Sequence, residues 1–194
     1  MAYKPIFPAA LQPLASTILP ALRGNEVAPA SPNGFSGIVA GEQFAAPYRV
    51  YYAASDLRAA IEGSGGDTRT LALCLGTRHW DGYVREECLH KLVADSRPWA
   101  APFIVQLLGE YVVEIAQAIL AALQQGYVDG LAEFARDNPS FMATTKRRTI
   151  SYWDCYYRRD FPSLQDYPAH AALELVEKTA KGLPSGLRNV ITTV

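Results

Sequence analysis

His79 and Asp81 flank Trp80, and a histidine beside a carboxylate is a pairing that general bases use. No GxSxG nucleophile turn accompanies the pair. Asp81 also stands where it would cap a helix beginning at Tyr83, which gives it a structural role. Glu87-x-x-His90 sets a carboxylate and an imidazole one helical turn apart, as di-iron bundles do. Those sites need a second copy and further carboxylates, and the sequence has no such copy. HExxH, zinc-type cysteine pairs, a phosphate-cradling glycine loop and a dinucleotide fingerprint are missing as well. The expectation is no catalytic residue, no metal and no cofactor. An enzyme using His79 and Asp81 is kept as the third reading.

Two polar, aromatic segments remain, Thr77 to Arg85 and Thr144 to Asp160. They concentrate tryptophan, tyrosine and arginine, the types that dominate binding hot spots. The expected partner-binding residues are Arg78, His79, Trp80, Asp81, Tyr83 and Arg85 from the first segment. From the second they are Arg147, Arg148, Tyr152, Asp154, Tyr156 and Arg158. On a helix, Arg147, Ser151, Asp154 and Arg158 share one face, while Ile150, Trp153 and Tyr157 share another. The two segments are expected to converge on one surface, with Arg78 and Asp81 near Arg147, Asp154 and Arg158. Arg–carboxylate pairs between the segments would hold it together. Lys146-Arg-Arg148 with Arg158-Arg159 is also a basic patch with aromatic interleaving, able to grip phosphates or stack bases. Nucleic-acid binding through residues 146–159 is therefore the second reading.

The elements that must carry these segments are mostly helical. Of 194 residues, 49% are hydrophobic and 19% charged, enough apolar material for one folded domain. The formal net charge of -1 gives no bulk attraction to nucleic acid or anionic membrane. Cys74, Cys88 and Cys155 each lie in an apolar helical pattern and read as buried free thiols, which favours a reducing, cytoplasmic compartment. No secretory signal is read near the N-terminus. The longest apolar run, Phe103 to Leu123, contains Gln106, Glu110, Glu114 and Gln117, which argues against a membrane span.

Along the chain, residues 8–22 read as a short helix kinked by Pro13 and Pro20. Residues 24–34 read as a loop. Phe35–Val39 and Tyr48–Tyr52 read as the strands of a small hairpin around Gly41. Helices follow at 56–62, at 70–75 and at 83–94, then a long one from near Pro98 to Gln125. Asp129 is placed as a cap for 130–136, Ser140 as a cap for a helix from 141 to about 159, and Pro168 as the start of a last helix to Ala180. In the long helix, Gln106, Glu110, Glu114, Gln117, Ala121 and Gln124 form one narrow polar stripe, and the rest is apolar enough to be central. Residues 183–194 form a tail with no readable pattern.

Asp81, Val84-Arg85, Cys88 and Leu92 together resemble the second helix of a HEAT-type repeat. A shift of 31 residues sets Val84 on Ile115, Cys88 on Ile119 and Leu92 on Leu123, so the resemblance spans two units over residues 67–125. Arg85 has no counterpart at Ala116. The run Arg78-His-x-Asp-Gly-Tyr-Val-Arg85, followed by Lys146-Arg-Arg148 and Ser151-Tyr-Trp153, also resembles a bacterial family to which no activity attaches. The HEAT resemblance implies scaffolding and carries no catalytic residues. The expected architecture is mainly α: one domain over 1–194, with an N-terminal helix and small hairpin in 1–54, a short HEAT-like stack in 55–182, and the tail. The expected function is non-catalytic binding of a protein partner. A cytosolic immunity or antitoxin-type neutraliser is its most concrete form.

Overall fold

A computed structural model describes residues 5–23, 33–95, 97–126 and 130–182. The fold is mainly helical with one small antiparallel hairpin, as expected. After a short 3-10 turn comes α1 (Gln12–Arg23), with Pro20 inside it. Strands β1 (Gly34–Val39) and β2 (Glu42–Pro47) follow, then α2 (Ala54–Glu62), α3 (Gly66–Gly76) and α4 (Gly82–Ala94). Next are α5 (Ala101–Leu108), α6 (Val113–Gln124), α7 (Leu131–Asp137), α8 (Pro139–Tyr152) and α9 (Pro168–Gly182). The expected cap at Asp129, the tail 183–194 and most of the loop 24–34 lie outside the described residues.

The hairpin differs from the expected one. Phe35–Val39 is a strand, but its partner is Glu42–Pro47, in the register Val39↔Glu42 to Gly34↔Pro47. Ala40 and Gly41 make the two-residue turn with φ of 52° and 77°, left-handed at both positions as a type I′ turn requires. A turn this short makes Glu42 the partner of Val39, so Phe35 falls opposite Ala46 and Tyr48–Tyr52 lies beyond the pairing. Two strands alone are marginally stable. Here Phe35 and Phe44 insert into the helices, where Phe35 meets Phe103 and Phe141 at ring-centroid distances of 6.0 and 5.9 Å. The outer edge of β1 is closed by a side chain. Asn138 Oδ1 accepts from the Ile38 N–H at 2.7 Å, and its Nδ2 donates to the Ile38 carbonyl at 2.7 Å, as a third strand would. A Cβ on Gly37 would come within 2.6 Å of that amide oxygen, so the clamp needs glycine there.

The single long helix expected from 98 to 125 is in fact two. α5 ends at Leu108, the chain tightens through Gly109 and Glu110, and α6 starts at Val113. The apolar run hides this break because both halves are apolar. α5 is buried along its whole length and packs against β1, α6, α7, α8 and α9. Of the residues assigned to the polar stripe, Gln106 and Glu110 are therefore buried, while Glu114 and Gln117 on α6 are exposed. α3 packs on α4, α4 on α6, and α9 on α6 and α7. Gly76 sits so close to α4 that an added Cβ would meet Cys88 Sγ at 2.3 Å. Cys74 and Cys88 are buried, and burial raises both thiols, Cys88 to about 12. Cys155 is exposed, against expectation, because it lies on the solvent side of a π-helical turn. Among the described residues no helix is long and apolar enough to cross a membrane.

Candidate functional site

Three connections converge at one end of the stack. The linker after β2 bonds to the α3–α4 turn: Val50 N–H donates to the Arg78 carbonyl at 2.9 Å, and Trp80 N–H donates to the Val50 carbonyl at 3.1 Å. This parallel bridge sets Arg49 beside Arg78. The α5–α6 turn then delivers Glu110 between them. Arg49 grips both carboxylate oxygens, Nη1 to Oε1 at 2.9 Å and Nη2 to Oε2 at 3.0 Å. Arg78 Nη1 donates to Oε1 at 2.8 Å. Arg85, one turn into α4, brings Nε within 3.3 Å of Oε2, in ion-pair range but without hydrogen-bond alignment. Its Nη1 donates to the carbonyls of His79 and Trp80 at 3.0 and 2.9 Å.

Arg78 and Arg85 are the largest fully buried side chains among the described residues. Burial lowers Arg78 to about 10 despite the attraction of Glu110. Burial pushes Glu110 the other way, but the charges of Arg78, Arg49 and Arg85 outweigh it and hold the carboxyl below the usual range.

The second segment reaches the same turn from the other side. Thr149 Oγ1 bonds the Leu108 carbonyl at 2.7 Å and anchors α8 to the end of α5. α8 is followed by a π-helical turn, Trp153–Tyr157. Such turns occur often at functional sites. Trp153 Nε1 donates to the Phe161 carbonyl at 2.8 Å, and Tyr157 OH donates to the Tyr111 carbonyl. Tyr111, Tyr152 and Tyr156 then form a row with successive ring centroids 6.2 Å apart. Arg148 donates Nη2 to Tyr48 OH at 3.0 Å and lies over the Tyr48 ring.

The expected site residues divide accordingly. Arg78, His79 and Arg85 are buried, so they support the surface from beneath. Trp80, Tyr83 and Tyr156 are 60%, 83% and 67% exposed. Tyr152 and Arg148 are half-buried beside Tyr111 and Tyr48. Among the described residues Arg147 donates to Thr144 alone, and Arg158 pairs locally with Asp154 at 3.1 Å and covers Trp153. Among the described residues no ion pair joins 77–85 directly to 144–160; Glu110 and Tyr111 connect them instead. Arg49, Tyr48, Glu110 and Tyr111 were missed. A lone glutamate inside an apolar run was the available signal for Glu110, since a buried charge requires a partner.

The His79–Asp81 dyad does not form. His79 Nε2 faces the Tyr52 carbonyl at 2.9 Å, and Nδ1 accepts the backbone N–H of Asp81 at 3.1 Å. Both ring nitrogens are engaged with backbone, and the Asp81 carboxylate caps α4 by accepting the Tyr83 N–H at 2.9 Å. Glu87 is held by Arg58 and Lys91, and the described residues contain no group of three or more metal-ligating side chains. No protein-family model matches the sequence, and no curated protein or solved structure matches it at a significant level.

Proposed function

We propose that the protein is a non-catalytic binding module that docks another protein on the face carrying Trp80, Tyr83, Tyr111, Arg148 and Tyr156. The single observation behind this reading is that large aromatic side chains stand exposed around a rigid, ion-paired base. Exposed Trp and Tyr on a preorganised support make effective binding anchors, because little side-chain entropy is lost on docking. A neutraliser of a toxin enzyme is the most concrete form of this activity. A HEAT-like stacking of α3 to α6 would suit a scaffold of that kind. The exposed Arg147, with the half-buried Arg148 beside it, favours a partner with an acidic contact surface.

The nucleic-acid reading draws support from the tyrosine row beside Arg148, which could stack bases. Against it, the basic run is split: Lys146 turns to α9, where Glu174 and Glu177 hold it at 2.6 and 3.1 Å.

The test is capture of a partner by the intact chain and by a Trp80→Ala, Tyr83→Ala, Tyr156→Ala variant. The variant is expected to keep its helical circular dichroism and melting temperature and to lose the partner. Equal capture by both would remove this face from the function. Fluorescence titration with single-stranded oligonucleotides is expected to show little binding at physiological salt. Tight, salt-dependent binding would establish the nucleic-acid reading instead.

A further inference from the structure

The surroundings of His170 are built against its charged form. The residue stands in the first turn of α9, where the positive end of the helix dipole disfavours a cation. Its side chain is 9% exposed. Nδ1 is buried and has no hydrogen-bond partner among the described residues. Nε2 stands 3.8 Å from Glu174 Oε1, within ion-pair range but too far for a hydrogen bond. That oxygen is already taken. Lys146 Nζ donates to it at 2.6 Å and to Glu177 Oε2 at 3.1 Å, and so ties α8 to α9.

A neutral imidazole fits this place, since only one of its nitrogens carries a proton. An imidazolium donates from both. In the buried position its Nδ1–H would have no acceptor, and its charge would stand beside Lys146. Among the described residues the charged groups acting on His170 are Glu174 and Glu177 from its own helix and Lys146 from α8. Lys178 and Lys181 line the groove beside it farther along α9. α6 presents Leu120 and Gln124 there, and its Glu114 is exposed. The turn before α9 presents Gln165, with Asp166 exposed. α5 has no charged residue, and Arg136 of α7 pairs with Glu133 and Asp137 of its own helix. Burial lowers the imidazole below its ordinary value of 6.5; Glu174 resists this and Lys146 adds to it. The ring also has somewhere to go, because His170 lines a groove of about 870 Å3 between α6, α8 and α9.

We propose that His170 is a pH-operated latch on the α8–α9 contact. Neutral, it stays buried and leaves Glu174 to Lys146. Protonated, it turns into the groove, draws Glu174 away from Lys146 and loosens α8 from α9. Because the folded-state value is lowered, the latch contributes its full stability above 6.5 and loses it as pH falls through the folded-state value. Glu110 acts in a separate window, below its ordinary value of 4.5. The latch stands whether or not a partner docks on the aromatic face.

NMR titration of the whole chain reads the imidazole directly, and a His170→Gln spectrum assigns its signal. The His170 midpoint is expected below 6.5 and above about pH 5, in the range where histidine switches operate. The backbone amide signals of Lys146 and Glu174 are expected to move with the same midpoint, and to stay still over this range in His170→Gln. Lys146→Met removes the competing cation from a partly exposed position and is expected to tighten proton binding at His170 about threefold or more. In urea unfolding the native chain is expected to lose stability from about pH 7 to pH 5, and His170→Gln to lose less. A midpoint at or above 6.5, an imidazole still neutral at about pH 5, or Lys146 and Glu174 signals that ignore the midpoint would each overturn the latch. So would equal loss of stability in His170→Gln, or proton binding unchanged in Lys146→Met. Should His170→Gln fail to fold, the native chain and Lys146→Met still decide between these outcomes.

Discussion

Two regions of this protein use the same residue types and behave differently. Around Glu110, arginines, an acid and aromatic rings come together from positions 32 and 61 residues apart in sequence, and the pairs are mostly buried. In the end of α8 and the π-helical turn, arginine, acid and aromatic rings pair within five residues, and the Asp154 and Arg158 side chains remain 54% and 64% exposed. Coulomb attraction is screened at the second place and weakly screened at the first. Residue type alone therefore does not rank the two; burial does, and burial here depends on which turns the fold brings together.

The largest effect should come from breaking the buried centre. Glu110→Ala would leave three arginines facing one another and is expected to cost about 3–5 kcal/mol in urea unfolding. The same centre should respond to acid. The Glu110 carboxyl is held below its ordinary value of 4.5, so its contribution is present at pH above that value and is lost as pH falls through the folded-state value. Stability measured from neutrality into acid should thus fall more steeply in the native chain than in Glu110→Gln, and equal slopes would show that Glu110 is not the titrating centre. A smaller effect is expected at the joint between the two regions. Thr149→Val leaves the Leu108 carbonyl without its hydroxyl donor and should cost about 1–3 kcal/mol, with loosening of the Tyr111–Tyr152 contact visible in tyrosine fluorescence. The smallest belongs to the exposed pair: Asp154→Ala should change stability by no more than about 0.5 kcal/mol. A cost comparable to that of Glu110→Ala would erase the distinction between the regions.

Sequence spacing revealed the local half of this comparison and not the long-range half. The Asp81 cap, the helix starting after it, the end of a helix at Glu62 and the Pro168 start follow from residues within a turn of one another, and they are where the spacing put them. The strand Phe35–Val39 was legible from its composition, but its partner was not, because the tight Ala40-Gly41 turn selects Glu42–Pro47 over the more β-like Tyr48–Tyr52. That second segment instead lays Val50 beside His79, a pairing no local pattern encodes. The break between α5 and α6 was invisible for a related reason. Apolar periodicity continues across it, and the marks are Gly109, which caps α5, and Glu110, whose carboxylate bonds make sense only once Arg49 and Arg78 have arrived. In the candidate site, the exposed aromatics were readable as types, while the turn that joins them had to be seen folded.

The clamp that Asn138 places on β1 bears on how the protein ages. An asparagine deamidates when the backbone nitrogen of the next residue attacks its side-chain amide and closes a five-membered imide. Here the next residue is Pro139, whose ring nitrogen carries no hydrogen and cannot close that imide. Both amide atoms are also occupied by the Ile38 backbone, with Nδ2 donating in addition to the Phe134 carbonyl at 2.9 Å. An aspartate formed at this position would lose the donor and set a negative charge against the Ile38 carbonyl, opening the edge of the hairpin. By placing proline after the asparagine, the chain makes the outer edge of β1 depend on an amide that resists this chemical decay.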